Sequence, residues 1–238
     1  MPPRDFSLGT YKFVAVESGY LPSDADFERI IRKGLDGTAM LPWDISDERL
    51  HAVIQYIKTF SDAWTSQYDE VGEPIVPGED PFGEARKTEA IAYGGKVYHG
   101  LAQCIQCHPA YATYDEIYSA GMELAGYGRT DLNVSIYTPQ PTDSDYDVRF
   151  LPPDFTFHRL RSGTEIADLY RSIASGIGGT AMPTWKGSLP EEQLWALTYY
   201  VRSLVEMRET QEALALKQGL LSQPAFTPPP AMPATKSR

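Results

Sequence analysis

Gln103-Cys104-Ile105-Gln106-Cys107-His108 is the stretch that decides how this chain is read. Two cysteines separated by two residues and followed at once by histidine form the spacing at which haem is attached covalently. Each thiol can bond one of the two vinyl-derived carbons of the porphyrin, and His108 then lies under the iron as a proximal imidazole ligand. Both cysteines of the chain lie here, so attachment uses every thiol available. A dithiol for redox exchange would follow a strand in a βαβ pattern, which the flanking sequence lacks. A structural zinc site needs four ligands, and His51, His99 and His158, the remaining histidines, are not at finger spacing.

Upstream of the motif, the pattern predicts a helix from Glu84 or Ala85, interrupted by Gly94-Gly95. Each glycine costs about 1 kcal/mol against alanine inside a helix, which points to close packing, or alternatively to a bend. Downstream, residues 110–153 are rich in Tyr, Gly, Pro and Asp and read as irregular. Within them Asp143-Ser144-Asp145-Tyr146-Asp147 has the start of a calcium loop. Val148 replaces the glycine at its sixth position and Asp154 the glutamate at its twelfth, so a solvated acidic loop is the better reading.

Regular patterning returns after Pro152-Pro153-Asp154-Phe155. Gly163 or Thr164 opens a helix carrying Ile166, Leu169, Tyr170 and Ile173, and Gly176 closes it. The loop Gly176-Ile177-Gly178-Gly179-Thr180-Ala181-Met182-Pro183 leads to Trp185. Ser188-Leu189-Pro190-Glu191 has capping-box spacing and starts a last helix with Leu194, Leu197, Val201, Leu204 and Val205 on one face. That helix is expected to run on through Leu216, ahead of a disordered tail marked by Pro224, Pro228, Pro229, Pro230 and Pro233.

The N-terminal part repeats this order. Ser23 or Asp24 caps a helix with Phe27, Ile30 and Ile31, Gly34 ends it, and Ser46 caps another bearing Leu50, Val53, Ile54, Ile57, Phe60 and Trp64. Pro2-Pro3-Arg4-Asp5-Phe6 answers Pro152-Pro153-Asp154-Phe155, and Gly37-Thr38-Ala39-Met40 answers Gly179-Thr180-Ala181-Met182. Trp43, Leu50 and Tyr56 answer Trp185, Leu194 and Tyr200, the offset drifting from 149 to 142 to 144 residues. An ordered series of this kind is the mark of an internal repeat. The expected organisation is a partial helical module over 1–64, a Gly- and Pro-rich linker over 65–84, a haem domain over 85–207, and a helix extension with its tail over 208–238. The fold class is all-α.

Met182 is the leading candidate for a second axial ligand, because glycines and small residues before it let backbone approach the ring. His158 is its main rival and Met122 a distant one. Met40 has the same loop but no local haem motif, so packing is its reading within these residues, and iron ligation its reading in a complete first module. Trp185 and Trp43 follow the methionines by three residues, each able to point an indole N–H at a propionate or simply to fill a core. His51 and His99 read as surface or core side chains.

The formal net charge of −11 argues against nucleic-acid binding and favours a basic partner face. No apolar run of the roughly 18 residues needed to span a bilayer is present. The first residues, Met1-Pro2-Pro3-Arg4-Asp5-Phe6, lack the basic and apolar regions of a secretory signal.

Residues 85–207, with Cys104, Cys107 and His108, then Gly179-Thr180-Ala181-Met182-Pro183 and the tyrosine-bearing last helix, resemble the class I cytochrome c family. Residues 2–64 look like the back half of the same fold, as in periplasmic di-haem cytochromes c. Pro109 after His108, where glycine is common, and the insertion over 111–157 depart from the family pattern. The resemblance implies an all-helical fold around haem c, His/Met ligation, periplasmic electron transfer between redox protein partners, and association with a membrane complex as an option. The alternative is the cytochrome subunit of a larger oxidoreductase or a peroxidase-type haem enzyme. It also implies maturation outside the cytoplasm, so the missing signal leads to the expectation that Met1 is internal to a longer protein with a second haem, or that the first module has lost its haem half.

Overall fold

The computed structural model describes residues 5–66 and 70–229. Seven α-helices and no strands occur among the described residues, so the fold is all-α. The helices are α1 (Asp24–Lys33), α2 (Asp47–Lys58), α3 (Lys87–Lys96), α4 (Tyr114–Ala125), α5 (Ile166–Ser175), α6 (Glu191–Glu206) and α7 (Gln211–Ser222). No described helix is long and apolar enough to cross a membrane.

Two apolar clusters form. The larger gathers α3, α4, α5 and α6 around Tyr98, Ile117, Tyr170, Leu194 and Leu197. The smaller consists of Phe27, Ile31, Leu50 and Ile54, between α1 and α2. Helix α3 crosses α6 at Gly94, where a β-carbon would stand 2.0 Å from the Ala196 carbonyl oxygen, while Tyr200 packs over Gly95. The glycine pair therefore serves close helix packing. The helix then passes into a π turn, Val97–Leu101, which delivers the chain to the cysteine motif.

The repeat extends to individual hydrogen bonds. Asp5 accepts from the amide and hydroxyl of Ser7, and Asp154 accepts from the amide and hydroxyl of Thr156. Arg29 pairs with the buried Asp26 at 2.8 Å, and Arg171 with the buried Asp168 at 2.7 Å. The Thr38 and Thr180 hydroxyls each donate over 2.7 Å, to the carbonyls of Leu35 and Ile177. The amides of Leu35 and Ile177 in turn donate to the carbonyls of Met40 and Met182.

The halves differ in what covers them. Leu197 on α6 is 1% exposed beneath α3, whereas its counterpart Val53 on α2 is 41% exposed. Trp43, Tyr56 and Phe60 are exposed on the same half.

Four features depart from the sequence-based expectation. Helix α4 lies inside the stretch read as irregular, opened by a capping box in which Thr113 and Glu116 bond each other's backbone amides. The helix after Leu194 stops at Glu206, and Glu209 takes a left-handed φ of 59°. Thr210 then caps a separate α7, so there is no continuous helix through Leu216. Residues 70–83 lack helix but are pinned along their length. The Gly72 amide donates to Leu21, the Ile75 amide to Ala15 and the Gly78 amide to Glu191, while Asp80 accepts from the Tyr199 hydroxyl. Pro190, in place of Ser188, stands at the N-terminus of α6, with no side-chain cap. The matched prolines Pro2 and Pro3, and the tail from Pro230 onward, lie outside the described residues.

Candidate haem site

Cys104–Gln106 forms a tight 3₁₀ turn entered through Gln103, whose φ of 49° is left-handed. The amides of Cys107 and His108 donate back to the Cys104 carbonyl, at 3.2 and 2.9 Å, which draws the two cysteines and the histidine into one turn. Gln103 donates to the Tyr127 hydroxyl and accepts from Gln106, holding this strained entry in place.

The His108 Nδ1 lies 2.9 Å from the Pro153 carbonyl, to which it can only donate, so Nε2 is left as the acceptor. Phe155 stacks on the ring at 4.7 Å with a 21° interplanar angle. Burial holds the His108 pKa below its ordinary value, the Pro153 hydrogen bond opposing that shift in part, so the imidazole is neutral and able to bind a metal. Burial also pushes the Cys104 thiol up to about 12 and raises Cys107. A dithiol used for exchange needs the reverse shift. Both cysteines are free, with no disulfide between them. The donor set thus suits covalent haem: two unpaired thiols and an oriented imidazole in one turn.

The support behind His108 is a buried polar network. Asp154 accepts from Tyr111, Thr156 and Lys217 of α7, and those hydrogen bonds and that charge outweigh burial to hold its carboxyl below the usual range. The Phe155 amide donates to the Tyr111 hydroxyl. His99, buried, donates from Nδ1 to the Gly95 carbonyl and accepts at Nε2 from the Tyr111 amide. Tyr98 donates to the Pro109 carbonyl, so Pro109 is an anchor of the chain leaving the motif.

Sequence reasoning did not assign roles to Pro153, Phe155, Tyr111 or Asp154. The recurrence of Pro-Asp-Phe in the repeat was the one signal pointing to the first two. His99, near the motif in sequence and without a role on that ground, grips the backbone three residues beyond His108.

Met182 and Trp185 are partly buried and pack against the same core cluster as Cys104. Their loop is fixed by Ile177 donating to Met182, Met182 to Thr180, and Trp185 to Ala174. His158 accepts at Nδ1 from the Asp154 amide, within the turn that holds the back of His108. Met122 is exposed on α4, and Met40 packs against the smaller cluster between α1 and α2.

Residues 89–201 match the family model described as cytochrome c oxidase, cbb3-type, subunit III. Together with the site just described, this makes the region a c-type cytochrome domain with a haem cofactor. A solved structure, "Kuenenia stuttgartiensis reducing HAO-like protein complex Kustc0457/Kustc0458", is similar at 29% identity with a TM-score of 0.63, covering 85% of this chain and 81% of the other. No match is found among curated proteins. Residues 89–201 are therefore a c-type cytochrome domain, of a kind that carries electrons or serves within an oxidoreductase assembly.

Proposed function

We propose that the protein is a periplasmic one-electron carrier whose haem c is bound through Cys104 and Cys107 and ligated by His108 and Met182. The observation that carries this reading is the donation from His108 Nδ1 to Pro153, which leaves Nε2 as the free lone pair beside two unpaired cysteines. The haem supplies one-electron exchange between ferrous and ferric iron. His108 holds its orientation through Pro153 and Phe155, and the apolar core around Cys104 limits water. Met182 is favoured over His158 because His158 sits in the turn behind His108 and spends Nδ1 on the Asp154 amide. Trp185, on the same loop and packed against the same core cluster, is the further cofactor contact in this reading. Residence in the periplasm follows from the chemistry of covalent attachment, as in the c-type cytochromes that the chain resembles.

The test is expression of residues 1–238 in a host with a c-type maturation system. The expected product keeps its haem through acid–acetone extraction and shows the long-wavelength methionine-to-iron band when ferric. Met182→Ala should abolish the band and lower the potential while the covalent haem stays. Loss of the pigment on extraction, or a band that survives Met182→Ala, would overturn the assignment.

A second reading concerns the haem count. The N-terminal half keeps the Asp5–Ser7 turn and the Met40 loop, but exposes the face that α3 covers in the other half. This favours a second haem c on a segment outside residues 1–238, with Met40 as its ligand. Native protein carrying a single haem per chain would sink that reading. The similar solved structure is that of a protein complex, which supports redox partners docking on this acidic chain.

A further inference from the structure

The insertion over 111–157 and the strap of residues 10–18 meet at the loop that carries Met182. The Gly178 amide donates to the Lys12 carbonyl at 3.2 Å, and a β-carbon on Gly178 would lie 2.0 Å from the Tyr11 carbonyl oxygen. From the opposite side, the Tyr146 hydroxyl reaches the Gly178 carbonyl at 3.2 Å and that of Thr10 at 3.4 Å. The Tyr146 ring occupies the space that a β-carbon on Gly179 would need. The Asp145 amide donates to the Gly179 carbonyl, and Lys12 Nζ sits 3.4 Å from the centroid of Phe150. At the base of the loop, the Ser175 hydroxyl donates to the Val14 carbonyl, and the Thr184 hydroxyl accepts from the Ser18 amide.

The loop is thus enclosed between a piece of the N-terminal half and a piece of the insertion. A thioether holds ferric iron weakly enough that the loop's freedom to swing away enters directly into the ligation equilibrium. Fixing the loop from behind removes that freedom before the bond forms.

We propose that Tyr146 and Gly178 are positioning residues for the iron-bound methionine, so that the N-terminal half and the insertion together set how readily Met182 leaves the iron. This deepens the reading of Met182 as ligand and rests on it. It gives the 143–150 loop, which reads in the sequence as a solvated acidic loop, a mechanical role.

The test is imidazole titration of the ferric, fully matured protein, followed by loss of the methionine-to-iron band, with the reduction potential measured in parallel. Tyr146→Phe removes hydroxyl bonds but keeps the ring, and should raise imidazole affinity about three- to tenfold, as expected for one or two hydrogen bonds. Tyr146→Ala and Gly178→Ala should raise it further, and each should lower the potential. Thr113→Ala, which weakens α4 away from the loop, should lower the melting temperature and leave imidazole affinity unchanged. Affinities within about twofold of the parent for both Tyr146 variants, or the same gain in Thr113→Ala, would overturn the proposal. If Met182→Ala leaves the parent's band intact, the ligand assignment falls first and the proposal with it.

Discussion

His99 is a buried side chain with both ring nitrogens committed, Nδ1 as donor to Gly95 and Nε2 as acceptor from Tyr111. A second proton on this ring would have to sit on Nε2, facing the Tyr111 N–H, and burial opposes the charge as well. The pKa is accordingly lowered from 6.5 to about 4, burial being the main cause. A depressed histidine pKa means that the unfolded chain takes up the proton first. The contribution to stability is whole above about pH 6.5 and falls away as pH drops toward 4, by about 3 kcal/mol in all. Denaturant melts of the parent and of His99→Phe at pH 7 and pH 4.5 check this. The variant should lose about 2 kcal/mol at pH 7, from the unpaired Tyr111 amide, and show a flatter slope with pH. A slope as steep as the parent's would assign the acid sensitivity to another group.

At the scale of elements, glycine and capping set where helices form and how near they come. Thr113 and Glu116 cap α4 reciprocally, and Thr113→Ala should cost about 1 kcal/mol, read as a lower melting temperature with an unchanged haem spectrum. Gly94→Ala raises intrinsic helix propensity by about 1 kcal/mol, yet it should destabilise the protein, because the added carbon meets the Ala196 carbonyl of α6. A stabilising Gly94→Ala would mean that α3 and α6 stand further apart than that contact allows. The Thr-x-x-Glu spacing that opens α4 was present in the sequence but hidden among Tyr, Gly and Asp residues that weaken periodicity. The break after Glu206 was harder to read, since nothing in the side-chain pattern signals that the backbone at Glu209 turns left-handed.

At the scale of the whole molecule, two related halves stand in unequal surroundings. Tyr200 is wedged among Tyr98, His99 and Gly95, whereas Tyr56, its counterpart, is 64% exposed. Tyr200→Ala should cost about 3 kcal/mol, and Tyr56→Ala less than about 0.5 kcal/mol, when both are melted as residues 1–238. Equal costs would mean that the N-terminal face is covered in solution. The halves are joined by hydrogen bonds, among them the Asp36 amide to the Arg161 carbonyl and the Gly178 amide to the Lys12 carbonyl. The Gly- and Pro-rich stretch that reads as a linker is itself held over residues 70–83, by the Gly72 amide to the Leu21 carbonyl and the Gly78 amide to the Glu191 carboxylate.

What the sequence determined by itself was local: the thiol and imidazole spacing of Cys104, Cys107 and His108, the amphipathic periods of α1, α2, α5 and α6, and the ordered recurrence linking the two halves. Each of these is a relation between residues a few positions apart, or between two copies of such a pattern. Only the tertiary structure decided that Pro153 grips His108 across 45 residues and that Tyr146 reaches Thr10 across 136. It alone set the charge state of buried His99. Hydrogen bonds between distant backbone carbonyls and side chains leave no period in the sequence, and burial, which moves the proton equilibria, is a property of the packed chain.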